Sequence, residues 1–249
     1  LVGSDIKKEA PILSARIWQR FLNSDFFYPI LRIGSRHNVN FDVEDVGQSS
    51  LSLKKLSSGK FLSLLNKSKK PLFILGQGAL CSNFGEQIFN FCLNTYLKVS
   101  KDQSWNGFNV LQTYSGRVGA LDLEFYNESF VKSKSLIKKI YKGEYEILFL
   151  MSADDIDFKK IPSKTFVIYQ GHHGDKAVSR ADLIIPTSCF TEKEGIYVNL
   201  EGRPQISRQV KFPLPSVDHS WDFFTKLSNY LQLSLDYKNF SDLRNNMFE

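Results

Sequence analysis

The sequence predicts an α/β fold of Rossmann-like units built on parallel strands, and three observations lead there. Strand-like apolar runs alternate with stretches of helical periodicity along the 249 residues, the order that βαβ units impose. The later runs, Glu146 to Met151, Thr165 to Tyr169 and Ala181 to Ile185, are near-continuous in apolar residues, as in a parallel sheet covered on both faces. Pro186 ends the last of them, because proline has no N–H to give a ladder.

The elements follow in order. Leu1-Val2 reads as the end of a strand that turns at Gly3. Pro11 suits a first helical turn, and Leu13, Ile17 and Phe21 form an apolar stripe behind it. Tyr28 to Ile33 reads as a strand, and Leu51 to Leu65 as a helical region broken at Ser57-Ser58-Gly59. Lys67-Ser68-Lys69-Lys70 is a polar joint, which divides the chain into a partial first α/β unit, 1–68, and a second unit, 69–249. Beyond it lie a strand from Pro71 to Leu75 and a helix opened by Asn83 and Glu86 in capping-box spacing, with Phe84, Ile88, Phe91 and Cys92 inward. Gly107 to Leu121 and Val131 to Tyr141 are further helical candidates. Glu194 to Arg208 reads as a loop with short hairpin strands, and a C-terminal helix carries Trp221, Phe224, Leu227 and Leu231.

Composition narrows the function classes. No run approaches the roughly 18 uncharged apolar residues that span a bilayer, so direct membrane insertion is not expected. The net charge of +6 raises nucleic acid as a partner. The lysines are scattered, however, and the densest run, Lys132 to Lys142, reads as a solvated helix face opposite Leu136, Ile137 and Ile140; a free-standing nucleic-acid-binding module is thus the weakest alternative. Cys81, Cys92 and Cys189 are too few and too far apart for a four-thiolate iron–sulfur cluster, and read as reduced, buried thiols.

Three stretches invite a chemical reading. His172-His173 follows a strand at its carboxyl end, where parallel sheets place ligands, yet adjacent histidines on a turn rarely aim at one ion, and the nearby acids are only Asp175 and Asp182. Gly76-Gln77-Gly78 imitates the opening of a dinucleotide fingerprint, but its third small position falls on Cys81 and no acid follows at the required distance; a tight strand-to-helix turn is the favoured reading. Glu192, Glu194, Glu201 and Arg203 concentrate charge on one loop, where Gly195 and Gly202 permit turns and Glu201 and Arg203 can pair internally or with a partner. None is assigned as a catalytic, cofactor-binding or metal-ligating residue.

Residue order is more telling than any of these. Tyr169-Gln170-Gly171-His172-His173-Gly174-Asp175, Ala181 to Pro186 and Thr191 to Arg203 closely resemble the C-terminal molybdopterin-oxidoreductase-like domain of the 75-kDa, large peripheral-arm subunit family of respiratory complex I, NADH:ubiquinone oxidoreductase. Leu1-Val2-Gly3-Ser4, Glu9-Ala10-Pro11, Lys69-Lys70-Pro71 with Leu75-Gly76, Ala120 to Leu123, and Asp218 to Leu227 extend the likeness over nearly the whole chain.

The resemblance implies a partial molybdopterin oxidoreductase fold whose N-terminal part is missing, as a fragment, a processed product or one half of a split protein. It implies a structural and assembly module with no cofactor of its own, the iron–sulfur clusters lying in the missing N-terminal region or a partner chain. The cluster-bearing part of the 75-kDa subunit and other peripheral-arm subunits would be its partners, on the matrix side of the mitochondrial inner membrane. The later half of an active molybdopterin oxidoreductase is the alternative that the family name keeps open.

Overall fold

The computed structural model describes residues 1–23, 28–102, 104–125, 133–174 and 176–248, and these form two compact units. Unit 1 comprises Leu1–Arg117 with Leu200–Gly202; unit 2 comprises Val118–Asn199 and Arg203–Glu249. The division differs from the boundary expected at 68/69. The polar joint is only a crossover inside unit 1, because Val2 bridges in parallel to both Ile33 and Leu75 and so ties together the strands on either side of it.

In unit 1, β1 (Leu31–Ile33) pairs in parallel with β2 (Glu44–Gly47), and β3 (Phe73–Leu75) with β4 (Phe108–Val110). Val2 lies between β1 and β3, donating its N–H to the Ile74 carbonyl at 2.8 Å and accepting from the Gly76 N–H at 2.8 Å. The Gly3 N–H reaches the Ile33 carbonyl at 2.8 Å and the Ile33 N–H reaches the Leu1 carbonyl at 2.9 Å. The two ribbons thereby become one parallel sheet in the order β2, β1, Val2, β3, β4.

Helices flank this sheet. α1 (Ile6–Glu9) leads into α2 (Pro11–Leu22), which has proline at its first position as expected. The expected second helical region is a 3-10 helix, Ser50–Ser57, followed by α3 (Gly59–Lys67) after the predicted break. α4 (Gln77–Leu80) is a single turn, and α5 (Gly85–Val99) buries Ile88, Cys92, Tyr96 and Val99 along one face. The Asn83–Glu86 capping box does not form: Phe84 occupies the cap and no side chain caps the helix. Entry is set by backbone contact instead, since a Cβ on Gly85 would lie 1.9 Å from the Leu80 carbonyl oxygen.

The helix expected over Gly107 to Leu121 is replaced by strand β4 and a shorter helix, α6 (Arg117–Asp122). Aromatic packing decides this: Phe108 contacts Phe73, Phe89 and Tyr96 with ring centroids 5.5–6.5 Å apart. The Phe73 N–H also bonds the Gly107 carbonyl at 2.7 Å, which aligns β4 with β3.

Unit 2 carries β5 (Ile147–Met151), β6 (Phe166–Gly171) and β7 (Leu183–Pro186) in a parallel sheet of that order. The three strands stand where the apolar runs predicted them. Helix α7 (Ser133–Lys142) leads into β5; of the expected segment, Val131 and Lys132 lie outside the described residues. Val167 and Tyr169, both fully buried, face Ile140, Leu150, Phe158, Ile161 and Ala177. On Phe149 sit Phe223 and Phe224 of α8 (Ser220–Tyr230). The sheet is less covered than its apolar runs implied, for Ile147, Met151, Phe166, Leu183 and Ile184 are exposed. A short α9 (Phe240–Asn246), capped by the Asn239 side chain on the Asp242 N–H, was not foreseen.

Leu75 is fully buried in β3 at the centre of the larger core of unit 1. Leu75→Ala should cost about 2–5 kcal/mol of stability, the usual range for such a cavity, measurable by denaturant unfolding.

Candidate functional site

In parallel sheets, ligands gather beyond the carboxyl ends of the strands, and a site in either unit would form there. In unit 1 the edge is closed by the chain itself. Gly3 has φ +55°, and a Cβ there would meet the Ala79 Cβ at 2.4 Å. A Cβ on Gly76 would meet the Gly3 carbonyl at 2.4 Å and the Ser4 Cα at 2.5 Å. The Gln77 N–H bonds the Glu9 carboxylate at 3.3 Å, and the Gln77 amide donates to the Leu111 carbonyl at 2.5 Å. Gly76-Gln77-Gly78 is therefore a packing turn, with backbone and a carboxylate where a cradled phosphate would sit.

Beside it, Arg32 and Asp45 are register partners on β1 and β2. The Arg32 Nε donates to Asp45 at 2.7 Å and its Nη1 to the His37 carbonyl at 2.6 Å, while Arg36 reaches the other Asp45 oxygen at 2.9 Å. These bonds, from Arg32 first, hold the Asp45 carboxyl below the usual carboxylate range.

At the carboxyl edge of unit 2, His172 and His173 are exposed just past β6. Their Nδ1 atoms face each other at 2.5 Å, so the two rings are each other's polar partners in this turn. Asp175 lies outside the described residues. Asp182 is not their partner: it accepts from the Val167 N–H at 2.8 Å near the beginning of β6 and pairs with Arg180 at 3.0 Å. The Val167 N–H, and then Arg180, hold its carboxyl below the usual range.

Sequence reasoning missed a polar cluster between the end of β7 and α8, whose residues are 31–33 positions apart and share no motif. The Ser188 hydroxyl meets His219 Nδ1 at 2.8 Å, and the Thr187 hydroxyl meets that of Ser220 at 3.0 Å. A Ser–His pair invites a nucleophile reading, but Ser188 is fully buried and no substrate carbonyl can reach it. These bonds fasten the helix to the sheet.

The charged loop resolves into separate roles. β8 (Gly195–Val198) and β9 (Pro204–Ser207) form the expected antiparallel hairpin. Gly202, at φ +76°, makes its turn; Gly195 does not, being paired in β8 opposite Ser207. The Glu192 carboxylate accepts from the Cys189 N–H at 3.0 Å, Glu194 and Arg203 are exposed, and Glu201 pairs with Arg16 at 2.9 Å.

Nor do the cysteines form a centre. Cys92 is buried, and desolvation pushes its thiol up to about 11, whereas Cys81 is exposed and Cys189 half-buried. Among the described residues no group of three or more His, Cys, Asp or Glu side chains converges as for a metal ion. Among the described residues, the buried side-chain atoms without a partner are the Ser4 hydroxyl and both polar atoms of the Gln170 amide.

The strands and the helices packed on them define a parallel α/β protein. The molybdopterin oxidoreductase family model matches residues 1–230, and the chain belongs to that family. It is 35% identical over 247 residues to the NADH-ubiquinone oxidoreductase 75 kDa subunit of Reclinomonas americana, covering 98% of this chain and 35% of that one. The mitochondrial 78 kDa subunit of Candida albicans is 36% identical over 98% of this chain and 32% of its own length. That of Neurospora crassa is 32% identical over 100% of this chain and 32% of its own length. The chain thus spans about a third of the length of these relatives. A solved structure of the formyltransferase/hydrolase complex of Methylorubrum extorquens shares the fold, with a TM-score of 0.59, 12% identity, and 93% of this chain and 73% of that one covered.

Two substitutions test this reading of the edges. Gly76→Ala should destabilise the protein by about 1–3 kcal/mol through overpacking against Gly3 and Ser4. Gly116→Ala, with nothing within 4 Å of the added carbon, should change stability by less than about 0.5 kcal/mol in the same unfolding experiment. Because the folded state depresses the Asp182 carboxyl, that residue contributes stability above the unfolded carboxylate range and loses it as pH falls through the folded value. Asp182→Asn should therefore lower the melting temperature at pH 7, and the gap from the parent should close in strong acid.

Proposed function

We propose that the chain is a structural and assembly module of the large peripheral-arm subunit of an NADH:ubiquinone oxidoreductase, working without a cofactor of its own. The observation that carries this is the similarity, over 98% of the chain or more, to subunits named for that enzyme. The edge chemistry supports the cofactor-free part, since the Gly76 turn and the Ser188–His219 pair hold the fold together rather than a ligand.

In this reading the module covers and positions the cluster-bearing part of the subunit, shields electron transfer from water and docks neighbouring peripheral-arm subunits. The iron–sulfur clusters, the oxidation of NADH and the reduction of ubiquinone belong to the rest of the assembly. Among the described residues no helix is long and apolar enough to cross a membrane, which is compatible with a peripheral position on the matrix face of the mitochondrial inner membrane. Two of the relatives are named as mitochondrial.

The exposed His172-His173 turn is the natural place to test an architectural role. Alanine at either position should lower the amount of assembled complex, measured on native gels, more than NADH oxidation per assembled complex. Normal assembly with abolished turnover would assign the turn to catalysis instead.

A further inference from the structure

Asn106-Gly107 is the one Asn-Gly pair in the 249 residues, and it lies directly ahead of β4. Asparagine is chemically labile in proteins, and most of all before glycine. With no Cβ to shield it, the glycine nitrogen of a free chain can reach the side-chain carbonyl carbon of the residue before it.

In the fold the two residues sit in opposite surroundings, Asn106 exposed and Gly107 buried. The Gly107 N–H donates to the Tyr96 Oη at 3.0 Å and to the Trp105 carbonyl at 3.1 Å. Tyr96 in turn donates to that same Trp105 carbonyl at 2.6 Å. On the far side of the residue, the Gly107 carbonyl accepts from the Phe73 N–H at 2.7 Å. A Cβ on Gly107 would lie 2.2 Å from the Pro71 carbonyl oxygen and 2.4 Å from the Trp105 Nε1, so the backbone has little room to rotate.

We propose that Asn106 is a modification site that folding switches off: deamidation proceeds only while the Tyr96–Gly107 clamp is open, and its isoaspartate product keeps the clamp from closing again. In the first step the Gly107 nitrogen loses its proton and bonds to the Asn106 side-chain carbon; the C–N bond of the side-chain amide breaks, and ammonia leaves with the proton. Water then opens the cyclic imide at either carbonyl, leaving aspartate or isoaspartate at 106, with nothing oxidised or reduced. The closed clamp opposes the first step in two ways. A nitrogen stripped of its proton there would be a buried charge beside a hydroxyl that already donates to Trp105. Its approach to the side chain also requires rotation about the Asn106 Cα–C bond, which breaks the bonds that align β4 with β3. Isoaspartate adds a carbon to the main chain just before β4 and shifts Gly107 out of register with Phe73. A chain that lingers unfolded is thereby marked, and one that folds is not.

The test follows Asn106 in the 249-residue chain by peptide mapping and mass spectrometry, folded in mildly alkaline buffer and unfolded in guanidinium chloride at the same pH. Conversion should be at least about tenfold slower in the folded chain, since only the opened fraction reacts. Tyr96→Phe keeps the ring that packs on Phe73 and Phe108 but removes the hydroxyl, and should speed conversion in buffer severalfold while circular dichroism shows the fold retained. Should that variant not fold, the folded and unfolded parent decide the matter by themselves. Chains aged in guanidinium should lose refolding in proportion to the isoaspartate formed, whereas Asn106→Gln chains aged alongside should still refold. Equal rates in the folded and unfolded chain, or no conversion at Asn106 in guanidinium, would overturn the proposal. So would a folded Tyr96→Phe chain that reacts as slowly as the parent, or isoaspartate-bearing chains that refold normally.

Discussion

Everything in unit 1 depends on the insertion of Val2 between β1 and β3. A two-stranded ribbon is marginal in water, and without Val2 the unit would hold two of them, β1 with β2 and β3 with β4. The bonds of Val2 and its neighbours to both sides convert these into one sheet with a continuous apolar core running from Val46 to Val99. The same insertion dictates the chemistry at the carboxyl edge. Because the chain must turn away directly after Val2, Gly3 adopts a positive φ and lies against Ala79, and Gly76 is compressed onto Gly3 and Ser4. A turn that would otherwise be free to receive a phosphate is used to seat the central strand.

Unit 2 shows the same economy by different means. Tyr169 crosses the core to bond Asp154 at 3.0 Å, and the other Asp154 oxygen accepts from the Ala177 N–H at 2.9 Å, tying β6 to the segment that follows it. Thr187 and Ser188 hold α8 against the end of β7. Buried polar groups of this kind stabilise a fold when they find partners and cost free energy when they do not, which explains why so few remain unpaired among the described residues.

Much of this was legible in the residues. The three strands of unit 2, the hairpin after Glu194 and the helix beginning near Pro11 were visible because apolar runs and turn residues fall at the right spacings. β2 was not, since Glu44-Asp45-Val46-Gly47 offers one apolar residue and owes its strand to pairing and to the Arg32–Asp45 bond. β4 reads as helix in the sequence because its aromatic partners, Phe73 and Tyr96, are distant along the chain. The contact-based division of the chain falls elsewhere than 68/69, and no local signal tells that Val2 reaches Leu75. The histidine turn and the glycine turn stand out as local motifs, whereas the Ser188–His219 pair exists only once the chain is folded. Family membership, by contrast, came from residue order, which no argument from periodicity supplies.

The claim that this chain builds rather than catalyses is most directly tested by metal and pterin analysis of the native protein, purified from its source with its partners and then separated. Molybdenum, tungsten and fluorescent pterin oxidation products should lie far below one per chain in the isolated polypeptide. Close to one equivalent of metal and pterin retained by it would contradict the account and make this segment part of an active molybdopterin enzyme.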